Sequence, residues 1–401
     1  GVVRVMLDAP MRLVQGSQAP DTQTPVSVFQ QSVGAPGLWI DGKTGQGVAI
    51  AVLDSGIQAH MDFGWPTRIV AARRFNDRAS TTADQLGHGT WVAGIAAGAG
   101  NASYGRYMGI APGASIVNLK VSDDNGAAYA SDVVEALGWI TTNHAAHNIR
   151  VANLSFVSSI DEGYATSLLD AAVEMVWHAG VVVVVSSGNR GPDTLRFAPA
   201  NDPYVITVGA NDDMATASPA DDTLAWFSSF GLTQDRVSKP DLVAPGRRIV
   251  GTLASSGTVL AQMYPSKVIA QRYIQLSGTS AAAPVVAGGV ALLLQAQPEL
   301  TPDQIKWLVT RSARPLDGVP PGSGAGELAL LAASQMARGS VGRANLGLIP
   351  NRLVGLAYFA QPGQPAVSWD SVSWDSVSWD SVSWDSVSWD SVSWDSVLGD
   401  D

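Results

Sequence analysis

Gly47-Val48-Ala49-Ile50-Ala51-Val52-Leu53-Asp54 is an apolar run that ends in an acid. It shows no polar alternation, the pattern of a strand buried on both faces, as in a parallel sheet. Similar runs recur at 115–121, 151–156, 181–186 and 204–208. Helix-like stretches lie between them at 90–99, 130–145 and 166–179. Strand and helix alternate, which predicts an α/β fold, a mostly parallel central sheet with helices on both faces. Sites in such sheets lie at the carboxyl ends of the strands. Asp54 and Asn189 both fall just past such an end.

Residues 282–296 are apolar on every side, which predicts a central buried helix. Pro284 fits only its first turn, so Ser280 falls at its amino end. Upstream, His88 stands in Gly87-His88-Gly89-Thr90. Asp54, His88 and Ser280 are thus an acid, a base and a hydroxyl. A serine hydroxyl is a weak nucleophile that needs a base in reach and a carboxylate to hold that base. It also needs donors for a developing oxyanion. Asn189, in Ser186-Ser187-Gly188-Asn189-Arg190-Gly191, could supply one, and the Ser280 N–H at a helix end the other. Each residue alone has an ordinary reading: Asp54 and Asn189 as turn residues, His88 as a structural histidine, Ser280 as a helix cap. Their joint placement at element edges favours chemistry.

The motifs are longer than single residues. Ala51-Val52-Leu53-Asp54-Ser55-Gly56-Ile57, Gly87-His88-Gly89-Thr90-Trp91-Val92-Ala93-Gly94 and Ser277-Gly278-Thr279-Ser280-Ala281-Ala282-Ala283-Pro284 resemble, in order, the Asp, His and Ser motifs of the subtilisin-like serine proteases (subtilases, peptidase family S8). The resemblance covers roughly residues 36–347. It implies the subtilisin-like three-layer fold and peptide hydrolysis through an acyl-enzyme, with Asn189 as oxyanion donor. It also implies a peptide substrate bound as an extended strand. One wall would be Ser155-Phe156-Val157, the other the loop of residues 123–128 with Gly126, and Ser186, Ser187 and Gly188 would floor the first pocket. Phe156-Val157 and Ala127-Ala128 depart from the glycines usual there, which would narrow the subsites. No cofactor is needed for the chemistry. Structural calcium is common in the family, and Asp62, Asp84, Asp123, Asp124, Asp212, Asp213, Asp221 and Asp222 are loop acids that could bind it. None lies in an Asp-x-Asp-x-Asp-Gly loop. His144 and His147, three apart, read as a solvated helix face rather than a metal pair.

Composition narrows the classes. Of 401 residues, 46% are hydrophobic and 15% charged, which suits one large core and argues against a nucleic-acid-binding polymer. The net charge is −11, but residues 367–401 hold eight Asp and no Lys or Arg, so the rest carries −11 + 8 = −3. With no cysteine, a thiolate nucleophile is excluded. No run of 18 apolar residues suggests a membrane span.

The ends divide off. The resemblance implies an inhibitory propeptide, and Val2–Pro10 reads as its last strand, making residues 1–25 its remnant or the arm after it. Residues 26–350 form the peptidase domain and 351–366 a linker. In 367–401 Ser-Val-Ser-Trp-Asp repeats, with six Trp from Trp369 to Trp394. This reads as an acidic extension that could bind glycans, the cell envelope or itself. A surface adhesion protein that retains the fold is the rival assignment; the intact Asp–His–Ser set argues against it. The expected setting is secreted or cell-surface, in a bacterium.

Overall fold

The computed structural model describes residues 8–13, 25–64 and 66–354; residues 367–401, the remainder of the linker and Val2–Leu7 lie outside that set. In chain order the elements that matter for the site are as follows. Strands are β1 Pro10–Leu13, β2 Ala49–Asp54, β3 Ile69–Arg74, β4 Ser115–Lys120, β5 Ala128–Tyr129, β6 Ile149–Leu154, β7 Phe156–Ser158, β8 Val182–Ser186, β9 Ile206–Asp212 and β10 Thr223–Leu224. Helices are α1 His88–Ala97, α2 Ala130–His147, α3 Leu168–His178, α4 Thr279–Ala296 and α5 Pro302–Arg311.

The central sheet runs β10-β9-β8-β6-β2-β4-β3, with Leu242–Pro245 added beside β9. Every pairing is parallel except β10 with β9. The β-branched and apolar content of β2 and β8 fits this position: every residue of both strands is buried. Helices α1 and α4 pack on each other and on the sheet, and α2 packs on α3 as a second layer. This is the three-layer α/β arrangement the alternation predicts.

Helix α4 is long and apolar enough to cross a membrane, but it is 89% buried inside the protein. It is a core helix. It also starts earlier than the apolar pattern suggests, at Thr279, so Pro284 lies in its second turn. Proline has no N–H for the carbonyl four residues back. That carbonyl belongs to Ser280.

The folded body runs through Val354, four residues into the predicted linker. Asn351 is buried because its amide N–H donates to both carboxyl oxygens of Glu174, at 3.1 and 2.9 Å, and its side chain donates to the Ser167 carbonyl at 2.7 Å. Short polar stretches read as linkers when their partners are distant in sequence. Of the strand expected at 2–10, Val2–Leu7 lie outside the described residues; a strand, β1, is described at Pro10–Leu13.

Candidate active site

Asp54 ends β2 and His88 opens α1; both are buried. Gly87 turns the chain into the helix at φ 99°, a conformation glycine adopts freely. Gly89 lets the first turn of α1 lie against the Asp54 turn, since a Cβ there would collide with the Gly56 carbonyl. The His88 Nδ1 lies 2.8 Å from Asp54 Oδ1 and 3.0 Å from Oδ2. Ser55 N also donates to Asp54 Oδ1, at 2.7 Å. An ionised carboxylate only accepts, so Nδ1 carries the proton of the neutral imidazole and Nε2 keeps its lone pair. Nε2 is buried and has no hydrogen-bond partner within the protein.

Ser280 is the second residue of α4, wholly buried. Its carbonyl, released by Pro284, accepts the Ser155 hydroxyl at 3.2 Å. Ser155 in turn accepts from Asn153 Nδ2 at 2.9 Å. The helix that carries Ser280 and the predicted substrate wall are therefore tied together.

Asn189 follows β8, on the turn whose Gly188 has φ 105°. Its Oδ1 accepts from Thr279 N at 2.9 Å and Thr279 Oγ1 at 3.0 Å. Thr279 Oγ1 also accepts from Gly188 N at 3.1 Å. Fixing the carbonyl end on the start of α4 leaves the amide Nδ2 buried and without a partner. The hydroxyls of Ser186 and Ser187 are likewise buried and unpaired. Asn189 is thereby held on Thr279, the residue before Ser280.

The two predicted walls are joined by the chain's own amino-terminal strand. β1 pairs antiparallel with β5 on one side and with β7 on the other. Met11 faces Ala128 and Ser158; Arg12 faces Val157; Leu13 faces Phe156. Ser159 N donates to Pro10 O at 3.1 Å, and Met11 is buried. Gly126, at φ 96°, turns the loop before β5, and Asp123 Oδ1 holds that turn through Asn125 N and Ala127 N, both at 2.9 Å.

The family model described as the subtilase family matches residues 45–340. The chain belongs to the subtilase family of serine peptidases. The serine protease AprX of Bacillus subtilis is 38% identical over 273 residues, 66% of this chain and 61% of AprX. Subtilisin Savinase of Lederbergia lenta is 34% identical over 274 residues, 68% of this chain and 86% of that protein. An extracellular serine proteinase of a Thermus species is 32% identical over 299 residues, 74% of this chain and 63% of its own length. A crystal structure of a cold adapted subtilisin-like serine proteinase superposes with a TM-score of 0.55 at 29% identity, covering 71% of this chain and 89% of that one. These three sequence relatives are bacterial. The chain spans about three-fifths of AprX.

Asp84, named from the sequence as a loop acid that could bind calcium, instead joins the turns that carry Asp54 and His88. Asp84 is buried and accepts four hydrogen bonds: Ser55 Oγ at 2.8 Å and Gly87 N at 2.7 Å on Oδ1, Thr90 N at 2.8 Å and Thr90 Oγ1 at 2.7 Å on Oδ2. Ser55 Oγ accepts from Gly89 N at 2.9 Å. Asp84 thus ties the first turn of α1, which carries His88, to the residue after Asp54. Burial pushes its carboxyl up, and the four donors oppose that. The signal was present: an acid four residues before the His, ahead of a helix whose free amides need an acceptor.

The acids named for calcium do not converge. Asp62 accepts Ala102 N and Tyr273 Oη, each at 2.8 Å. Asp124 takes Lys120 Nζ at 2.6 Å, and Asp212 takes Arg247 and Arg248. Asp213, Asp221 and Asp222 accept from Ala215 N, Thr216 Oγ1 and Asn211 Nδ2. Among the described residues no three His, Cys, Asp or Glu side chains are grouped to hold a metal. His147 stacks on Trp139, with ring centroids 5.5 Å apart, rather than meeting His144.

Proposed function

We propose that this subtilase is a serine endopeptidase that cleaves peptide bonds through an acyl-enzyme. Ser280 attacks the scissile carbonyl. His88 Nε2 takes the hydroxyl proton and returns it to the leaving amine. Asp54 fixes the tautomer and stabilises the imidazolium. Asn189 Nδ2 and the Ser280 N–H receive the oxyanion. Gly126, Ser155, Phe156 and Val157 line the extended substrate, with Ser186, Ser187 and Gly188 flooring the pocket beside Ser280. The observation that carries this reading is the buried His88 with both Asp54 oxygens on Nδ1 and nothing on Nε2.

Protein or peptide substrates are the partners, and neither a metal nor another cofactor takes part in the chemistry. The seat of Pro10–Leu13 between the walls supports the reading of residues 1–25 as a propeptide segment that blocks the groove until it is removed. Export to the cell surface or medium of a bacterium fits the relatives, and the Ser-Val-Ser-Trp-Asp repeats then serve attachment or self-association. The test is hydrolysis of a generic chromogenic peptide with and without a serine-directed sulfonyl fluoride. Hydrolysis abolished by the reagent and by Ser280→Ala supports the assignment. Hydrolysis indifferent to both overturns it. Deleting residues 367–401 leaves peptide hydrolysis unchanged if the repeats only attach the enzyme.

A further inference from the structure

The Ser-Val-Ser-Trp-Asp repeats carry eight Asp and no Lys or Arg, and the chain just before them has the opposite sign. Residues 311–352 contain five Arg and two acids, although everything before residue 367 sums to −11 + 8 = −3. Arg314 pairs with the buried Glu327. Arg311, Arg338, Arg343 and Arg352 are exposed, and among the described residues none of the four is paired with a carboxylate. Three of them border one strap. Gln297 Nε2, just past α4, donates to the Ala337 carbonyl at 2.7 Å. Gly342 lies against the indole of Trp307, where a Cβ would come within 2.6 Å of the ring. Trp307 stands one turn before Arg311 on α5 and shares its side of that helix. Ala344 N donates to the Asp303 carbonyl at 3.0 Å. The Tyr204 and Tyr164 hydroxyls donate to the carbonyls of Leu348 and Ile349, at 2.9 and 3.1 Å. The strap's backbone is thus held to the body, while Leu346 and Ile349 stay 75% and 77% exposed beside the arginines. A face of guanidinium and large apolar side chains complements a segment of carboxylates, indoles and valines. Arg pairs with Asp and stacks on Trp, and Leu and Ile cover Val.

We infer that residues 367–401 dock on this arginine strap of their own chain. The inference rests on the reading of the repeats as a self-associating segment, and it names the surface they meet. Residues 355–366 lead from Val354 to the repeats and reach about 40 Å when extended, enough to return along the strap. So short a tether holds the repeats at a roughly millimolar effective concentration. The strap meets the far end of α4 from Ser280, about 24 Å away at 1.5 Å per residue. Docking therefore leaves the peptide groove open. Its consequence is that the Trp and Val of the repeats are covered in the single chain. They are released where salt screens the arginines or a polyanion competes for them.

The chain has no cysteine, so Ser340→Cys, at an exposed position between Arg338 and Arg343, takes a single bimane label. Contact with Trp quenches that label. The labelled full chain is compared with the same full chain carrying Trp→Leu at the six repeat tryptophans, Trp369 to Trp394. The expected result is emission lower by about twofold or more with the native repeats, constant over about a hundredfold range of protein concentration because the contact is tethered. Arg311→Glu, Arg338→Glu and Arg343→Glu together, or about 1 M salt, should restore the brightness of the Trp→Leu protein. Hydrolysis of a short peptide should be the same in all of these proteins. Equal brightness with native and Trp→Leu repeats overturns the docking. Quenching that grows with protein concentration keeps the repeats self-associating but overturns the chain's own tail as the occupant. Quenching that survives both the charge reversal and the salt overturns the arginine face.

Discussion

The Ser155 hydroxyl donates to the Ser280 carbonyl at 3.2 Å, and it can do so because Pro284 has no N–H to fill that carbonyl. A missing helix hydrogen bond is converted into a tie between the helix that carries Ser280 and the strand end at Ser155. Ser155→Ala removes that donor from a buried carbonyl. We expect a loss of about 1–3 kcal/mol in stability, read by urea unfolding, with a fall in kcat. In a Pro284→Ala background residue 284 can donate to Ser280 itself, so the same substitution costs less. Additive effects in that double-mutant cycle contradict the account.

Asn189 is oriented by Thr279, which accounts for its free Nδ2. Asn189→Leu keeps the volume and removes the donor. The expected outcome is a fall in kcat with KM little changed. A factor of about 10²–10³ is the size established for loss of one such donor in subtilisin, a relative of this protein. Thr279→Val should lower kcat less, by loosening the amide. Steady-state kinetics on a peptide substrate checks both; a change confined to KM speaks against an oxyanion role.

Asp84 joins the His88 turn to the Asp54 turn. Asp84→Asn replaces an acceptor of four donors by a group that must turn an NH2 toward at least one of them. We expect destabilisation of about 2 kcal/mol or more and a lower kcat, with partial activity retained. Wild-type kcat in a folded Asp84→Asn variant argues against this positioning role.

The apolar runs placed β2, β4, β6 and β8, and the first three residues of β9, because strands buried on both faces declare themselves by composition. Asp54, His88, Asn189 and Ser280 stood out for a different reason: chemistry requires those residue types at element edges. What remained hidden depends on partners far apart in sequence. Asn351 looked like linker until Glu174 explained its burial, and Pro284 looked like a helix boundary until Ser155 explained its tolerance. Asp84 looked like one loop acid among eight. Their hydrogen-bond donors, from Ser80 to Tyr273, could not be read from spacing.

Those donors lead to a prediction about calcium. Because the eight acids accept from protein groups, we expect excess EDTA to leave the Tm of the full chain unchanged. A large fall in Tm, restored by added calcium, would show a site that these acids do not reveal.

Alkaline stability should depend on Glu174 and Asp202. Burial, with the neighbouring Asp202 charge, pushes Glu174 up to about 9; burial raises Asp202 to about 6. The folded state therefore holds protons that the unfolded chain has released above its ordinary carboxyl pKa. Stability falls as pH rises from that value through the folded pKa. Tm should drop between about pH 6 and 9, where Glu174 still holds its proton in the folded state. Glu174→Gln mimics the protonated acid, keeps an acceptor for Asn351 N–H, and should flatten that slope. An unchanged slope would place the alkaline loss elsewhere.

The central claim is that Ser280 is the nucleophile activated by His88. Its most direct test is mass spectrometry of the full chain after reaction with a phosphonyl fluoride. The account predicts a single adduct on the peptide containing Ser280, loss of peptide hydrolysis in proportion to labelling, and greatly reduced labelling in His88→Ala. An adduct on another residue, or full hydrolytic activity in protein labelled at Ser280, would contradict it.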